Sequence, residues 1–524
     1  MTSSTRPDDE PHGPGANGHG GPRRIDFPVV GVGASAGGLN ALTRLFDGVP
    51  AAPGMAFVVV VHLSPDHESY LASLLARTAR VPVVQLTEST PIEADRVYVL
   101  SPGLDLQVED GELKVSAAVE VAGVNTGIDR FLRSLGDAHR ERSIGIVLSG
   151  MGSDGATGLR RIKERGGVTL AQAPGEAEFD SMPLSAIAES AVDIVAPAAE
   201  MGARLVKLWK NARHIELPHA ESLELLVEKP PTPEAAAEAE RALHEVMRLL
   251  RDRTGHDFTH YKPATVLRRI ERRMQVTEVA TLPDYCRYLS EHRDETAALL
   301  KDLLISVTNF FRDSTAFEAL EAELAPRVAR AATESQRVRA WVAGCATGEE
   351  AYSIGIVLSE LAARQSQPVD IHIFASDIDE HAISVARSGM YPAAIAGDVT
   401  LPRIRDFFQR DHAHFRVRKE LREKILFATH NLLRDPPFSN LDLVCCRNLL
   451  IYLDREVQQQ VMQLLHFSLR PGGLLFLGSA ESADAGQGLF TLVDKRHRIY
   501  TADDVPRIRR GAMPVLPWSV GLKL

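Results

Sequence analysis

The chain has 524 residues, too many for one ordinary core, so two or three domains are expected. Its 44% hydrophobic and 24% charged content is typical of a soluble globular protein without membrane insertion, and its formal net charge of −10 argues against a general nucleic-acid binder. Four cysteines with neither metal-ligand nor disulfide spacing favour a reducing cytoplasm and no metal site.

Residues 1–25 are rich in Gly, Pro, Asp and His and are expected to be disordered. A first domain is expected over 26–213, where short apolar segments alternate with helical patterns. Strands are predicted at 28–32, 56–62, 82–85, 97–100, 144–149 and 167–171, and helices at 38–47, 69–78, 126–139, 156–164 and 184–190. This alternation predicts an α/β fold with a doubly wound, mostly parallel sheet.

The glycine turn after the first strand has two interpretations. Gly31-x-Gly33-x-x-Ala36 is a weak dinucleotide fingerprint, whereas Gly33-x-Ser35-x-Gly37 is a nucleophile elbow. A dinucleotide site needs an acidic residue at the end of the next strand, but that strand runs into His62. Because an imidazole there suits a general base for a serine, we favour the nucleophile elbow.

A third polar residue, Asp154, follows the strand at 144–149 on a glycine-rich turn. Each of the three residues has an ordinary explanation: Ser35 as a helix cap, His62 as a strand-end histidine, and Asp154 as part of a plain turn. Parallel sheets place their sites at the carboxyl ends of strands. The three residues together therefore favour a serine hydrolase with a Ser-His-Asp triad.

These segments resemble the catalytic blocks of the chemotaxis protein-glutamate methylesterases (CheB-type). The resemblance covers about 27–205 and rests on Gly33-Ala-Ser-Ala-Gly-Gly38, Val61-His-Leu-Ser-Pro-Asp-His67 and Gly150-Met-Gly-Ser-Asp-Gly155. It implies that Ser35 is the nucleophile, His62 the base and Asp154 the residue that orients it, with backbone near Met151 in the oxyanion hole. Ala36 stands where many members have threonine, and we see no receiver-domain pattern ahead of residue 27.

A proline-rich linker is expected at 214–236, followed by a helical subdomain over 237–315. Within it, Arg268, Arg269, Arg272 and Arg273 are predicted to lie along one side of a helix. A solvated face is the default interpretation, a docking surface for an acidic protein helix is the second, and a nucleic-acid contact is the last.

A second α/β catalytic domain is expected over 316–505, with a tail at 506–524. Its first strand ends in a glycine turn framed by Gly344 and Gly348, which leads directly to Glu349 and Glu350. Carboxylates there would repel a pyrophosphate but suit a cationic cofactor such as S-adenosylmethionine. Asp377 ends the next strand, in the place of a ribose acceptor. The alternative is that the glutamates only cap a helix.

Residues 240–503 resemble the chemotaxis receptor methyltransferases (CheR-type), through segments that include Val307-Thr-Asn-Phe-Phe-Arg-Asp313, Cys345-Ala-Thr-Gly-Glu-Glu350 and Cys446-Arg-Asn448. The resemblance implies S-adenosylmethionine as cofactor, a small β insertion at Phe407–Phe427, and Arg312 and Tyr452 near the methyl-transfer centre. The cofactor contacts that it implies are Thr308, Arg312, Glu350, Asp377, Asn431, Leu432, Arg447 and Asn448.

Together, the two resemblances predict a bifunctional cytoplasmic enzyme. One half would methylate glutamate side chains of a methyl-accepting chemoreceptor or similar signalling protein, and the other would hydrolyse the methyl esters. Two alternatives stay open: a catalytically silent signalling scaffold, and the same two activities on a non-receptor protein.

Overall fold

The computed structural model describes residues 25–62, 70–118, 126–189, 191–213, 215, 233–304, 308–411, 414–486 and 488–505. The expectations for the N-terminal tail, for most of the linker and for the C-terminal tail lie outside the described residues. Within the described ranges, no helix combines the length and the apolar character that a bilayer crossing requires.

The first half of the chain alternates strands with helices. The strands are β1 (Val29–Ala34), β2 (Ala56–Val61), β3 (Val83–Leu86), β4 (Thr90–Pro91), β5 (Val97–Leu100), β6 (Leu104–Glu109), β7 (Glu112–Ala117), β8 (Ser143–Val147), β9 (Val168–Gln172) and β10 (Ile194–Ala196). The helices are α1 (Gly38–Asp47), α2 (Leu71–Thr78), α3 (Gly127–His139), α4 (Ala156–Glu164), α5 (Ser181–Ala188) and α6 (Ala198–Ala212). The predicted elements are confirmed with small shifts at their ends, whereas β4, β6, β7, β10 and α6 were not predicted.

A seven-stranded parallel sheet with the order β10-β9-β8-β1-β2-β5-β3 forms the centre of this half. Its central strands are apolar throughout because both faces are covered. Helices α1, α2 and α6 pack on one face, and α3, α4 and α5 pack on the other. The predicted doubly wound α/β architecture is therefore confirmed. Strands β4, β7 and β6 form a separate antiparallel sheet.

The second half begins with helices α7 (Pro233–Thr254), α8 (Pro263–Val276), α9 (Leu282–Glu291), α10 (Arg293–Leu304) and α11 (Ser314–Thr333). The further helices are α12 (Glu349–Ala363), α13 (Glu380–Ser388), α14 (Leu401–Phe407), α15 (Lys419–Arg422) and α16 (Arg455–Ser468). The strands are β11 (Arg337–Ala343), β12 (Asp370–Asp377), β13 (Met390–Pro392), β14 (Phe408–Asp411), β15 (His414–Val417), β16 (Ile425–Thr429), β17 (Leu441–Cys446), β18 (Leu469–Leu477), β19 (Phe490–Asp494) and β20 (Ile499–Ala502).

Its main sheet has the order β16-β12-β11-β17-β18-β20-β19. The pairs β18–β20 and β20–β19 are antiparallel, and the other pairs are parallel. This confirms a second α/β domain preceded by a helical subdomain. The predicted β insertion is present as the sheet β13-β15-β14. It begins earlier than predicted, at Met390, because β13 pairs with β15, while β16 returns to the main sheet.

The prediction of a solvated arginine face is wrong for most of helix α8. Arg272 and Arg273 are buried, with 2% and 7% of their surface exposed. The Arg272 guanidinium pairs with Asp193 of the first half and Asp302 of helix α10. Arg269 donates to the carbonyls of Lys163 and Glu164 at 3.2 and 2.9 Å. The first half of the chain therefore covers much of this helix face, and the second interpretation, a docking surface for an acidic protein helix, stays a prediction.

Candidate active sites

Ser35 follows β1 in the sharp turn that leads into α1. Its amide donates to the Ser149 carbonyl at 3.0 Å, and Gly37 has a φ of 72°, a left-handed conformation that favours glycine. Gly33 is needed for a different reason. A Cβ at this position would lie 2.4 Å from Cγ2 of Ile128, so the glycine allows α3 to pack closely on β1.

His62 reaches the same edge of the sheet because β1 and β2 are in register. Ala34 pairs with Val61, and the His62 amide donates to the Ala34 carbonyl at 3.2 Å. The His62 Nε2 lies 2.8 Å from Oδ2 of Asp154, although the ring N–H points away from the line of a good hydrogen bond. The structure therefore brings the predicted base and its predicted orienting carboxylate together at the strand ends.

Asp154 is held by backbone amides. Its carboxylate accepts from Ile128 at 3.0 Å, Asp129 at 2.8 Å and Gly155 at 3.0 Å, and the first two amides lie in the first turn of α3. Helix amides and the helix dipole stabilise a negative charge at this end. Met151, near the predicted oxyanion hole, lies with Asp154 in the loop between β8 and α4 and is 61% exposed.

Sequence reasoning missed Asp129, a second carboxylate beside Asp154. Its Oδ1 accepts from the amides of Gly155 at 3.0 Å and Gly158 at 2.6 Å. Burial and the neighbouring Asp154 charge hold the pKa of Asp129 well above its ordinary value. Because Asp129 lies in the first turn of α3, these hydrogen bonds join the start of α3 to the start of α4, next to the predicted triad.

In the second half, the turn after β11 has the backbone conformation that its glycines indicate. Gly344 and Gly348 have φ of 73° and 95°, and Gly348 precedes α12. Ala346, between them, also has a positive φ, and its amide donates to Oδ2 of Asp377 at 2.8 Å. Burial raises the pKa of Asp377, while the amides of Asp379 and Ala346 oppose this shift. The loop and the end of β12 therefore position one another.

Glu350 lies in the first turn of α12 and is 9% exposed. Its Oε2 lies 3.1 Å from Nη1 of Arg447, and burial raises the pKa of Glu350 while Arg447 opposes that shift. The other guanidinium nitrogen of Arg447 donates to the Arg312 carbonyl at 3.0 Å and to Asp313 at 2.7 Å. Arg447 therefore fixes Glu350 and the Arg312 segment relative to each other.

A cavity of about 1210 Å³, open mouth included, lies at the carboxyl ends of β11, β12 and β17. The predicted cofactor and transfer residues all line it: Thr308, Arg312, Glu350, Asp377, Asn431, Leu432, Arg447, Asn448 and Tyr452. Glu350 and Asp377 are two of the carboxylate residues that line this cavity, which has an open side. This donor set suits a cationic ligand with ribose hydroxyls better than a phosphate.

Several lining residues were missed as site residues. His256, Phe258 and Tyr261 of the helical subdomain close one side of the cavity, and burial with the charge of Asp377 raises the pKa of Tyr261 to about 12. The segment Phe258-Thr-His-Tyr-Lys262 also resembles the CheR-type methyltransferases, so it offered a signal for two of these residues. Glu481 is not among the lining residues but supports one of them: it accepts from the amides of Asn448 and Leu450 at 2.9 and 2.8 Å, and no sequence pattern marked it.

One lining residue comes from the other half of the chain. Glu164, the last residue of α4, borders the cavity with 7% of its side chain exposed. Its Oε1 lies 3.6 Å from Nη2 of Arg312. The sequence offered no indication of this contact.

Comparison with known families gives a match for each half. Residues 30–205 match the CheB methylesterase family, 241–304 match the all-alpha domain of the CheR methyltransferases, and 306–499 match the SAM-binding domain of the CheR methyltransferases.

Among individual relatives, a 104.1 kDa protein of Rhodobacter capsulatus is 36% identical over 86% of this chain and 48% of its own length. The chain thus spans about half the length of that relative. The chemotaxis protein methyltransferase of Escherichia coli is 31% identical over 49% of this chain and 90% of its own length. The CheB methylesterase catalytic domain of Thermotoga maritima is 26% identical, with a TM-score of 0.33, over 35% of this chain and all of that domain.

Proposed function

Because the chain belongs to the chemotaxis protein methyltransferase family and also carries a CheB methylesterase domain, we propose that it forms and hydrolyses methyl esters on the same protein. The substrate that we propose is the glutamate side chains of a methyl-accepting chemoreceptor or a similar signalling protein. The proposed compartment is the cytoplasm, which fits cysteines that are all unpaired, three of them buried.

The observation that carries this proposal is the cavity beside β11 and β12. The residues that the sequence assigns to cofactor binding and methyl transfer are spread from Thr308 to Tyr452, and all of them border this one cavity. If the glutamates only capped a helix, there would be no reason for all of these residues to border a single cavity. This supports an active methyltransferase over a silent scaffold.

In the methyltransferase half, S-adenosylmethionine supplies, when bound, a methyl group on a positively charged sulfur. Asp377 would accept hydrogen bonds from the ribose hydroxyls, and Glu350 would offset the positive charge. Burial raises the pKa of Glu350, and pairing with Arg447 opposes that shift and so favours the ionised form. Arg312 and Tyr452 border the remaining space and would orient the acceptor carboxylate, which needs no base because it is already anionic at neutral pH.

In the esterase half, Ser35 would attack the ester carbonyl and His62 would accept the proton of the serine hydroxyl. The Nε2 of His62 faces Asp154, so Nδ1 is the nitrogen left for the serine. Proton return to the methoxy oxygen releases methanol and leaves an acyl-Ser35 intermediate, and water then hydrolyses this intermediate to the glutamate carboxylate and free Ser35. Asp154, held by three amides, would stabilise the imidazolium that forms at each step.

The test is incubation of the full chain with S-adenosylmethionine carrying a labelled methyl group and with chemoreceptor membranes. We expect base-labile carboxyl esters on the receptor, and more of them with Ser35→Ala than with the wild type. No label on the receptor would refute the receptor substrate. No label on any protein in a crude extract would leave the scaffold alternative standing.

A further inference from the structure

Glu164 brings a carboxylate from the esterase half into the methyltransferase cavity. It ends helix α4, and its Oε2 is held by the guanidinium of Arg161 one turn earlier. Its Oε1 is directed to Arg312, with 3.6 Å between Oε1 and Nη2. The carboxylate is therefore both fixed in place and directed at a residue of the cavity.

The groups around Glu164 are the ones that an acceptor would meet. Tyr452 lines the same cavity, and its pKa is raised by burial and by the charge of Glu164. Arg269 donates to the Glu164 carbonyl from helix α8. A glutamate that is to be methylated must bring the same chemical group, a γ-carboxylate on a helix, to the same two side chains, Arg312 and Tyr452.

We propose that Glu164 occupies the acceptor position of the methyltransferase. The docked esterase half then competes with the substrate glutamate for the methyltransferase cavity of the same chain. This inference rests on the proposed methyltransferase function and adds a regulatory contact to it. The carboxylate subsite consists of Arg312, Tyr452 and the end of helix α4. A substrate helix enters only when Glu164 has moved away from Arg312.

The contacts that hold α4 against the methyltransferase half are mainly polar. Arg160, one turn before Glu164, donates to the Thr308 carbonyl at 3.3 Å and lies 3.5 Å from Oε1 of Glu349. Arg133 of α3 forms a bidentate pair with Asp398 at 2.8 and 3.0 Å. Interfaces of this polar kind between domains permit relative movement more readily than apolar ones do.

The experiment compares Glu164→Ala, Glu164→Gln and wild type, with Glu200→Ala as the matched control. Glu200 is an exposed glutamate of α6 in the same half of the chain. The probe is the soluble cytoplasmic fragment of a methyl-accepting chemoreceptor. Calorimetry measures its Kd for the full chain in the presence of S-adenosylhomocysteine, and initial rates measure KM for the fragment. Melting temperatures identify any variant that fails to fold.

If Glu164 leaves the subsite accessible in about a tenth to a third of molecules, its removal tightens Kd and lowers KM by about 3- to 10-fold. Glu164→Gln keeps the shape but loses the charge, so it should show most of the effect, and Glu200→Ala should show none. Equal Kd and KM in folded wild type and both Glu164 variants overturn the inference alone. No methylation or binding of the fragment by any variant overturns the receptor substrate and this inference together.

Discussion

Replacing Arg272 by methionine tests whether the two halves of the chain form one unit. The Arg272 side chain, 1% exposed, donates to Asp193, to Asp302 and to the Gly167 carbonyl, and so joins the segments before β9 and β10 to helices α8 and α10. Methionine keeps much of the volume but removes the charge. The change therefore isolates the ionic part of the contact.

The magnitude follows from the charges that stay behind. Asp193 and Asp302, each with a side chain at most 1% exposed, would retain Lys163, whose Nζ lies 2.9 Å from Asp193 and 3.5 Å from Asp302. Loss of one partner of a buried ion pair costs about 3–5 kcal/mol. Because Lys163 still compensates one carboxylate, we expect the lower end, about 3 kcal/mol, or about 6–12 °C in Tm at 2–4 °C per kcal/mol for units of this size.

The assay is thermal unfolding followed by calorimetry, with Arg287→Ala as the control. Arg287 pairs with Asp284 at 3.1 Å on an exposed surface of α9, where such a pair contributes about 0–1 kcal/mol. The double variant Arg272→Met, Asp193→Asn removes one charge of each sign and should recover part of the lost stability. A Tm for Arg272→Met equal to that of Arg287→Ala would refute the reasoning, as would a double variant less stable than the single one.

The same contact predicts how stability depends on pH. Burial alone would raise the pKa of Asp193, but the charges of Arg272 and Lys163 outweigh it and hold the pKa well below its ordinary value. A carboxyl whose pKa is lower in the folded state stabilises fully above its unfolded value of about 3.9 and loses that contribution as the pH falls below it. Wild type should therefore lose more stability than Arg272→Met between about pH 4 and pH 2, measured by urea unfolding.

Three further outcomes test the two sites. Ser35→Ala should lower ester hydrolysis on the order of 10⁶-fold while methyl transfer stays normal, and hydrolysis near the wild-type rate would exclude Ser35 as the nucleophile. Asp154→Asn should lower ester hydrolysis about 10⁴-fold, as loss of the orienting carboxylate does in other serine hydrolases, and should also lower Tm, because the backbone amides now use both carboxylate oxygens and asparagine has only one acceptor oxygen. Asp377→Ala should weaken S-adenosylhomocysteine binding about ten- to a hundred-fold by calorimetry, and unchanged affinity would place the ribose elsewhere.

The positions of Ser35, His62 and Asp154 could be predicted because each follows a buried apolar strand. Parallel strands bring their carboxyl ends to one edge, so residues far apart in the chain meet there without any knowledge of the loops. The same rule placed Asp377 and Glu350. The hairpin of β6 and β7 also had a sequence signal, which was missed: the dipeptide Asp110-Gly111, which is typical of tight hairpin turns. Both residues have the positive φ that such a turn requires, of 49° and 79°.

The partners of helix α8 could not be predicted in the same way. A helical period identifies which residues share a face, but it does not identify what covers that face. Arg272 meets carboxylates 30 and 79 residues away in the chain, one of them in the other half. Glu164 presents the same difficulty, because only the packing of the two halves turns the last residue of a predicted helix into part of a cavity.

Helix α4 runs between the two proposed sites. Asp154 stands two residues before its first residue, Glu164 is its last, and the nine residues of the helix rise about 13 Å along its axis. A short helix transmits a shift at one end to the other with little loss. Thermodynamic linkage makes any such effect mutual: the factor by which a bound acceptor changes ester affinity is the factor by which a bound ester changes acceptor affinity. Binding at the two sites would then be coupled, and a coupling factor measured at either site would give the factor at the other.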